Sequence, residues 1–142
     1  MPSGPPLESR QMGKSKLAKR KANPNSTYWK RKADEAWANE IKKVGKCEIC
    51  GRTTGLNAHH IIARIRLRYR HDLSNGCCLC SCCHAFDPAI SPHIDSFSAE
   101  NFIRWLKGCR PGQYQWFEEN KHDKRKPDWT YKDKYEELTC AA

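Results

Sequence analysis

Cys47-Glu-Ile-Cys50-Gly51 and the run Cys77-Cys78-Leu79-Cys80-Ser81-Cys82-Cys83-His84 are the parts of this chain best suited to hold a metal ion. Two thiols separated by two residues can be aimed at one ion by a tight turn, and Gly51 tolerates the positive φ such a turn requires. The second run offers two pairs of the right spacing, Cys77/Cys80 and Cys80/Cys83. We prefer Cys80 and Cys83, because Leu79 then ends a short strand before the ligand turn and His84 follows on an emerging helix. Cys77 in place of Cys83 stays open. With Cys47 and Cys50 this gives a closed set of four cysteines, the signature of structural zinc. Redox motifs share the spacing, so a redox or metal-storage use of the central cysteines is a rival.

Between Cys50 and Cys80 lie 29 residues, more than a plain zinc ribbon or finger uses. They include Leu56-Asn57-Ala58-His59-His60-Ile61-Ile62, for which a structural zinc module has no use. The apolar flanks predict a strand, so His59 and His60 would point to opposite faces. One could then bind a metal while the other meets a substrate water. Either could instead be a structural zinc ligand. Arg64, Arg66, Arg68 and Arg70 alternate with Ile65, Leu67 and Tyr69. On an extended segment they would form one basic edge, and arginine forks grip phosphates in pairs of hydrogen bonds. No base-reading element is visible, so specificity is expected to be low or supplied by a protein partner.

The order His-His, then Asn, then Cys-x-x-Cys-His resembles the HNH endonucleases of the ββα-metal fold. The matching motifs are Cys47-x-x-Cys50, Ala58-His59-His60-Ile61, Asp72-Leu73-x-Asn75 and Leu79-Cys80-x-x-Cys83-His84. They span Cys47 to about Ala85. The C-terminal part is similar in its helical texture to small phage-encoded HNH and recombination nucleases. Cys77, Cys78, Cys82 and the arginine-rich insert depart from the pattern. The resemblance implies hydrolysis of DNA phosphodiester bonds to 5′-phosphate and 3′-hydroxyl ends, in a bacterial cell or a phage-infected host. It implies His60 as general base, suited by an imidazole pKa near 6.5. It implies that His59 and His84 hold one catalytic divalent ion, which histidine ligation leaves open among Mg²⁺, Mn²⁺, Ni²⁺ and Zn²⁺. Asn75 would bind no metal but tie the hairpin loop and hold the His60 backbone. Alternatives at these positions are a helix-capping His84, or His84 replacing Cys83 at the zinc. A non-catalytic treble-clef-like zinc module that binds nucleic acid is the main rival, and it leaves the three histidines without a purpose. Asp87 is read as a helix stop before Pro88, His93 and Asp95 as loop residues near the site, and His71 and His122 as surface residues.

These residues need elements to position them. The fold class expected is small α+β, a ββα-metal core held by the four-cysteine zinc site with flanking helices. Residues 1–25 read as a basic, disordered tail, with Pro2, Gly4, Pro5 and Pro6 breaking structure early. A helix is predicted over 26–46, capped by Ser26 or Thr27 and ended by Gly45. Its apolar face is Trp29, Ala33, Ala36, Trp37, Ile41 and Val44. Residues 47–90 form the nuclease-like core and 91–142 a helical extension. In that extension Ser98 caps one helix that runs to Gly108, and Pro111 opens another. Trp129 to Ala142 holds a short amphipathic turn or is frayed.

Composition agrees with a polyanionic partner. The chain has 142 residues, 26 Lys+Arg against 16 Asp+Glu, a formal charge of +10, 9 Cys and 6 His. Residues 1–46 carry 12 of the basic residues against 4 acids, whereas 91–142 carry 9 of each. A basic front end on a metal-rich middle favours nucleic acid. At 38% hydrophobic residues the interior must be small, so a metal staple is expected. No apolar run approaches a membrane span. The first thirty residues show no secretory pattern, so an intracellular setting is expected and disulfides are not.

Overall fold

Adjacent histidines and alternating cysteines are placed by one hairpin. β1 (Leu56–His60) and β2 (Gly76–Cys80) pair antiparallel, in register from Leu56↔Cys80 through His59↔Cys77 to His60↔Gly76. The computed structural model describes residues 16–140, and among them this is the only sheet. The helices are α1 (Thr27–Lys42), α2 (Ser96–Cys109), α3 (Pro111–Asn120) and α4 (Tyr131–Cys140). The chain is thus a small mixed α+β molecule. By its contacts it divides into two units, 37–128 and a helical one of residues up to 36 with 129 onward. The division cuts α1 between Ala36 and Trp37.

The helical unit corrects two expectations. Residues 1–15 of the expected tail lie outside the described residues, and 16–22 are helical rather than disordered. Carbonyls at the end of that helix find donors: Ser26 Oγ donates to Arg20 O at 2.5 Å and Trp29 Nε1 to Lys21 O at 2.9 Å. The stretch expected to be a short turn or frayed holds a full helix, α4 (Tyr131–Cys140), whose Leu138 is buried. Trp29 lies 5.6 Å from the Tyr135 ring, and Lys132 N donates to Pro24 O at 3.0 Å.

In the larger unit, α1 continues as the cover of one face of the hairpin. A β-carbon at Gly76 would stand 1.9 Å from Ile41 Cδ1 and 3.1 Å from Trp37 Cζ2, so only glycine admits this approach. The core is small and sulfur-rich: Cys47, Cys77, Leu79, Cys80, Cys83 and Phe102 cluster, with Ile49, Leu56, Ile61, Ile90 and Trp105 around them. Asp95, not Ser98, caps α2; its carboxylate accepts from Ser98 N at 2.8 Å while Ser98 Oγ accepts from Asp95 N at 3.2 Å. This reciprocal capping box explains why a serine at the third helical position resembles a cap in sequence. Pro111 opens α3 as expected, and Gln113 Nε2 donates to Ser74 O and Gly76 O, both at 2.8 Å.

The loop 61–75 overturns the expected extended arginine edge. Arg66 N donates to Ala63 O, Tyr69 N to Arg66 O, Asp72 N to Tyr69 O and Asn75 N to Asp72 O, all within 3.1 Å. The segment therefore folds through successive turns, and Arg64, Arg66, Arg68 and Arg70 share no common edge. Fully buried Asn75 imposes this: Nδ2 donates to Ile62 O at 2.9 Å and Tyr69 O at 3.0 Å, and Oδ1 accepts from Ile62 N at 2.6 Å. Three buried hydrogen bonds from one side chain outweigh a period of two in the sequence. His71, read as a surface residue, follows Tyr69 into the interior and is only 2% exposed.

Candidate functional site

Two clusters of metal-binding donors stand in the larger unit. In the first, Sγ atoms of Cys47, Cys50, Cys80 and Cys83 all lie within 4.8 Å of one another. Cys50 Sγ and Cys80 Sγ are 3.6 Å apart, close to the roughly 3.8 Å separating two thiolates on one tetrahedral zinc. The turn after Cys47 is closed by Gly51 N donating to Cys47 O at 2.9 Å, with Gly51 at φ +79°. In the second turn Cys83 N donates to Cys80 Sγ at 3.4 Å, on a π-helical turn over Cys82–Phe86. Cys77 is excluded from this cluster by the strand itself. Residues 77 and 80 of β2 differ by an odd number, so their side chains leave opposite faces. Burial and the nearby Glu48 carboxylate push the Cys77 thiol upward, and burial with the neighbouring thiols pushes Cys83 upward too, so geometry alone separates the two. Burial opposes ionisation of Cys47 too, but N–H groups of Cys50, Cys80 and Ile49 outweigh it and draw the thiol down to about 7.

In the second cluster, ring nitrogens of His59, His84 and His93 lie within 4.8 Å of one another. His84 Nε2 and His93 Nε2 face each other at 2.9 Å, near enough for one N–H to donate to the other's lone pair. A divalent ion bound by imidazole nitrogens would replace that proton. Exposure grades across the set, from buried His59 through half-buried His84 to exposed His93, so the cluster is closed on one side and open on the other. Burial, with the His84, His93 and His60 rings beside it, holds His59 down to about 3. Burial and His93 lower His84 also. Both rings are therefore neutral near pH 7, the form that ligates metal.

His93 was read only as a loop residue near the site, and Ser91 was not singled out at all. Ser91 is fully buried; its Oγ donates to His84 O at 2.7 Å and accepts from His93 N at 3.2 Å, while its N donates to Asp87 O at 2.9 Å. One hydroxyl thus ties the π-helical turn to the loop that carries His93. Asp87 is not a member of either cluster; it ends that turn, donating N–H to Cys82 O at 2.7 Å. The sequence signal available for His93 was a histidine between Pro92 and the Asp95 cap, too irregular a setting to fix its position.

His60 leaves β1 on the other face, as the strand predicts. Its ring stacks on Trp37 at 4.0 Å between centroids and 11° between planes. Its Nε2 lies 2.9 Å from Arg70 O. A carbonyl only accepts, so Nε2 carries the proton and Nδ1 of the neutral ring holds the lone pair. His60 nonetheless lines the same cavity of about 380 Å³ as His59, His84, His93 and Arg64. Asn75 acts one step away from the expected place: it grips Ile62 and Tyr69, fixing the loop that presents the Arg70 carbonyl, rather than His60 itself. Of the arginines, Arg64 reaches this cavity, Arg66 lines a neighbouring cleft, and Arg68 is engaged by Asp128 and Asp123 at 3.5 and 3.9 Å. Arg70 donates to Arg64 O at 3.4 Å.

Among the described residues no helix is long and apolar enough to cross a membrane. Comparison with known proteins adds no relative: no family model, no curated protein and no solved structure matches the chain.

Proposed function

We propose that this chain is a metal-dependent endonuclease of the HNH kind, hydrolysing DNA phosphodiester bonds on a ββα-metal core. The observation that carries the reading is one cavity lined by His60 together with His59, His84 and His93. A structural zinc held by Cys47, Cys50, Cys80 and Cys83 would lock the hairpin to the turn bearing His84. A zinc-binding module serving only nucleic-acid recognition accounts for the four cysteines but not for that histidine cavity.

In this reading His59, His84 and His93 hold one divalent ion. Bound there, the ion supplies positive charge for the phosphate and the 3′ leaving oxygen as negative charge develops. His60 does the proton work. Its Nε2–H is anchored on the Arg70 carbonyl, which fixes the tautomer and raises the basicity of Nδ1, the nitrogen that takes a proton from the attacking water. Trp37, stacked on the ring, limits its rotation. Arg64 orients a phosphate at the cavity mouth, and Asn75 keeps the Arg70 carbonyl in place through the loop. DNA is the partner, with Arg64, Arg66 and the basic front end supplying affinity that carries no sequence information.

The test is cleavage of supercoiled plasmid, and of linear, nicked and four-way-junction DNA, with Mg²⁺, Mn²⁺, Ni²⁺ or Zn²⁺ supplied in turn. Nicked or linear products whose ends ligate directly, as 5′-phosphates and 3′-hydroxyls do, support the reading. DNA binding without cleavage under every ion would favour the non-catalytic zinc module.

A further inference from the structure

A second cleft, of about 470 Å³, is lined by Ile65, Arg66, Leu67, Lys124, Arg125 and Lys126. Its two walls come from the turn after the His-His strand and from the charged segment between α3 and α4, which composition alone marks only as polar. Hydrogen bonds and ion pairs centred on half-buried Arg68 and buried Tyr69 tie the walls together. Arg68 donates to Lys126 O at 3.1 Å and pairs with Asp128 at 3.5 Å. The Tyr69 hydroxyl bonds to Asn120 at 3.0 Å and to the Asp123 carboxylate. Asp123 also takes Arg125 at 2.8 Å, which leaves Arg66, Lys124 and Lys126 as the cations facing an incoming ligand.

Ile65 and Leu67 give the cleft apolar surface, and Ile65 is 79% exposed. An acidic protein segment would meet the charge here, but would cover Ile65 and Leu67 only where its sequence happens to place apolar side chains. A nucleic-acid strand offers both, phosphates at regular intervals with sugar and base faces between them. The cleft shares no lining residue with the histidine cavity, but the two linings meet in the chain, where Arg64 of that cavity precedes Ile65 of the cleft. We propose that the cleft seats the substrate strand beside the cleavage site. Arg66, Lys124 and Lys126 lie on its phosphates, Ile65 and Leu67 lie against its sugars and bases, and Arg68 is a positioning residue rather than a phosphate ligand. This deepens the nuclease reading and rests on it for calling the bound strand a substrate.

The test uses the full chain, loaded with zinc and given no other divalent ion, binding a fluorescently labelled DNA duplex across a salt series. Lys124→Ala/Lys126→Ala should weaken binding about tenfold at low salt and shrink the slope of log K against log salt by about 2. Arg104→Ala/Lys107→Ala on α2 removes equal charge from a different cavity and should change the slope far less. An unchanged slope in the cleft variant, or equal changes in both variants, would overturn the proposal. So would polyglutamate displacing the duplex as well as single-stranded DNA does. Plasmid nicking is scored separately. Slope loss in a protein that never nicks keeps the cleft and removes the nuclease, and nicking with an unaltered slope does the reverse.

Discussion

The four cysteines and the three histidines could each hold a metal ion, but the two sets differ in how they are enclosed. Three of the cysteines are buried, and Cys47, Cys80 and Cys83 belong to the core itself. The histidine set has one buried member, one half-buried and one exposed, and it opens onto a cavity. A closed sulfur site holds a fold together, whereas an open imidazole site leaves positions for substrate and water. On the proposed reading the cysteine set should contribute its binding energy to folding, and the histidine set should contribute little to folding and much to chemistry.

The sharpest way to break this contrast is to remove one ligand from each set. Cys80→Ser should forfeit zinc and with it on the order of 10 kcal/mol of folding energy. The hairpin should then melt at 25 °C, as read by circular dichroism and amide exchange. His84→Ala should keep zinc stoichiometry and fold while lowering Mn²⁺ affinity by about 100-fold, measured by calorimetry on the zinc-loaded chain. Equal loss of fold in both variants would erase the distinction.

Ser91→Ala addresses how the open site is assembled. Losing the hydroxyl that joins His84 O to His93 N should weaken Mn²⁺ binding about tenfold, and the cysteine-bound zinc should not respond. The smallest effect is on pH. His59 stays neutral in the folded chain down to about 3, whereas an unfolded histidine titrates near 6.5. The unfolded chain therefore binds the proton first, so stability is full above pH 6.5 and falls as pH drops from there toward 3. His59→Gln should flatten that decline by up to about 1 kcal/mol per pH unit, measured by urea unfolding between pH 5 and 7. Parallel curves would show that His59 is not held neutral.

The cysteine half of this contrast was legible in the sequence because its geometry is local. Two Cys-x-x-Cys turns and a short strand set all four sulfurs, although the choice between Cys77 and Cys83 stays open in the sequence and is made only by the observed extent of β2. The opposite directions of His59 and His60 follow from the same alternation. The histidine half was legible only in part. His93 is brought to His84 by a buried serine in an irregular loop, and no periodicity marks that. The arginine run misled because Asn75, several residues further on, bends the backbone into turns that the alternating side chains do not encode. Trp37 read correctly as a core residue of α1, but its role as the stacking partner of His60 depends on Gly76 lacking a side chain, a feature of the strand rather than of the helix.

The most direct measurement is the rate of plasmid nicking by the zinc-loaded chain and by His60→Ala under the same divalent ion. The account predicts a loss of about 10²–10⁴-fold in the variant, with zinc content and duplex affinity unchanged. Nicking at the wild-type rate by His60→Ala would contradict it.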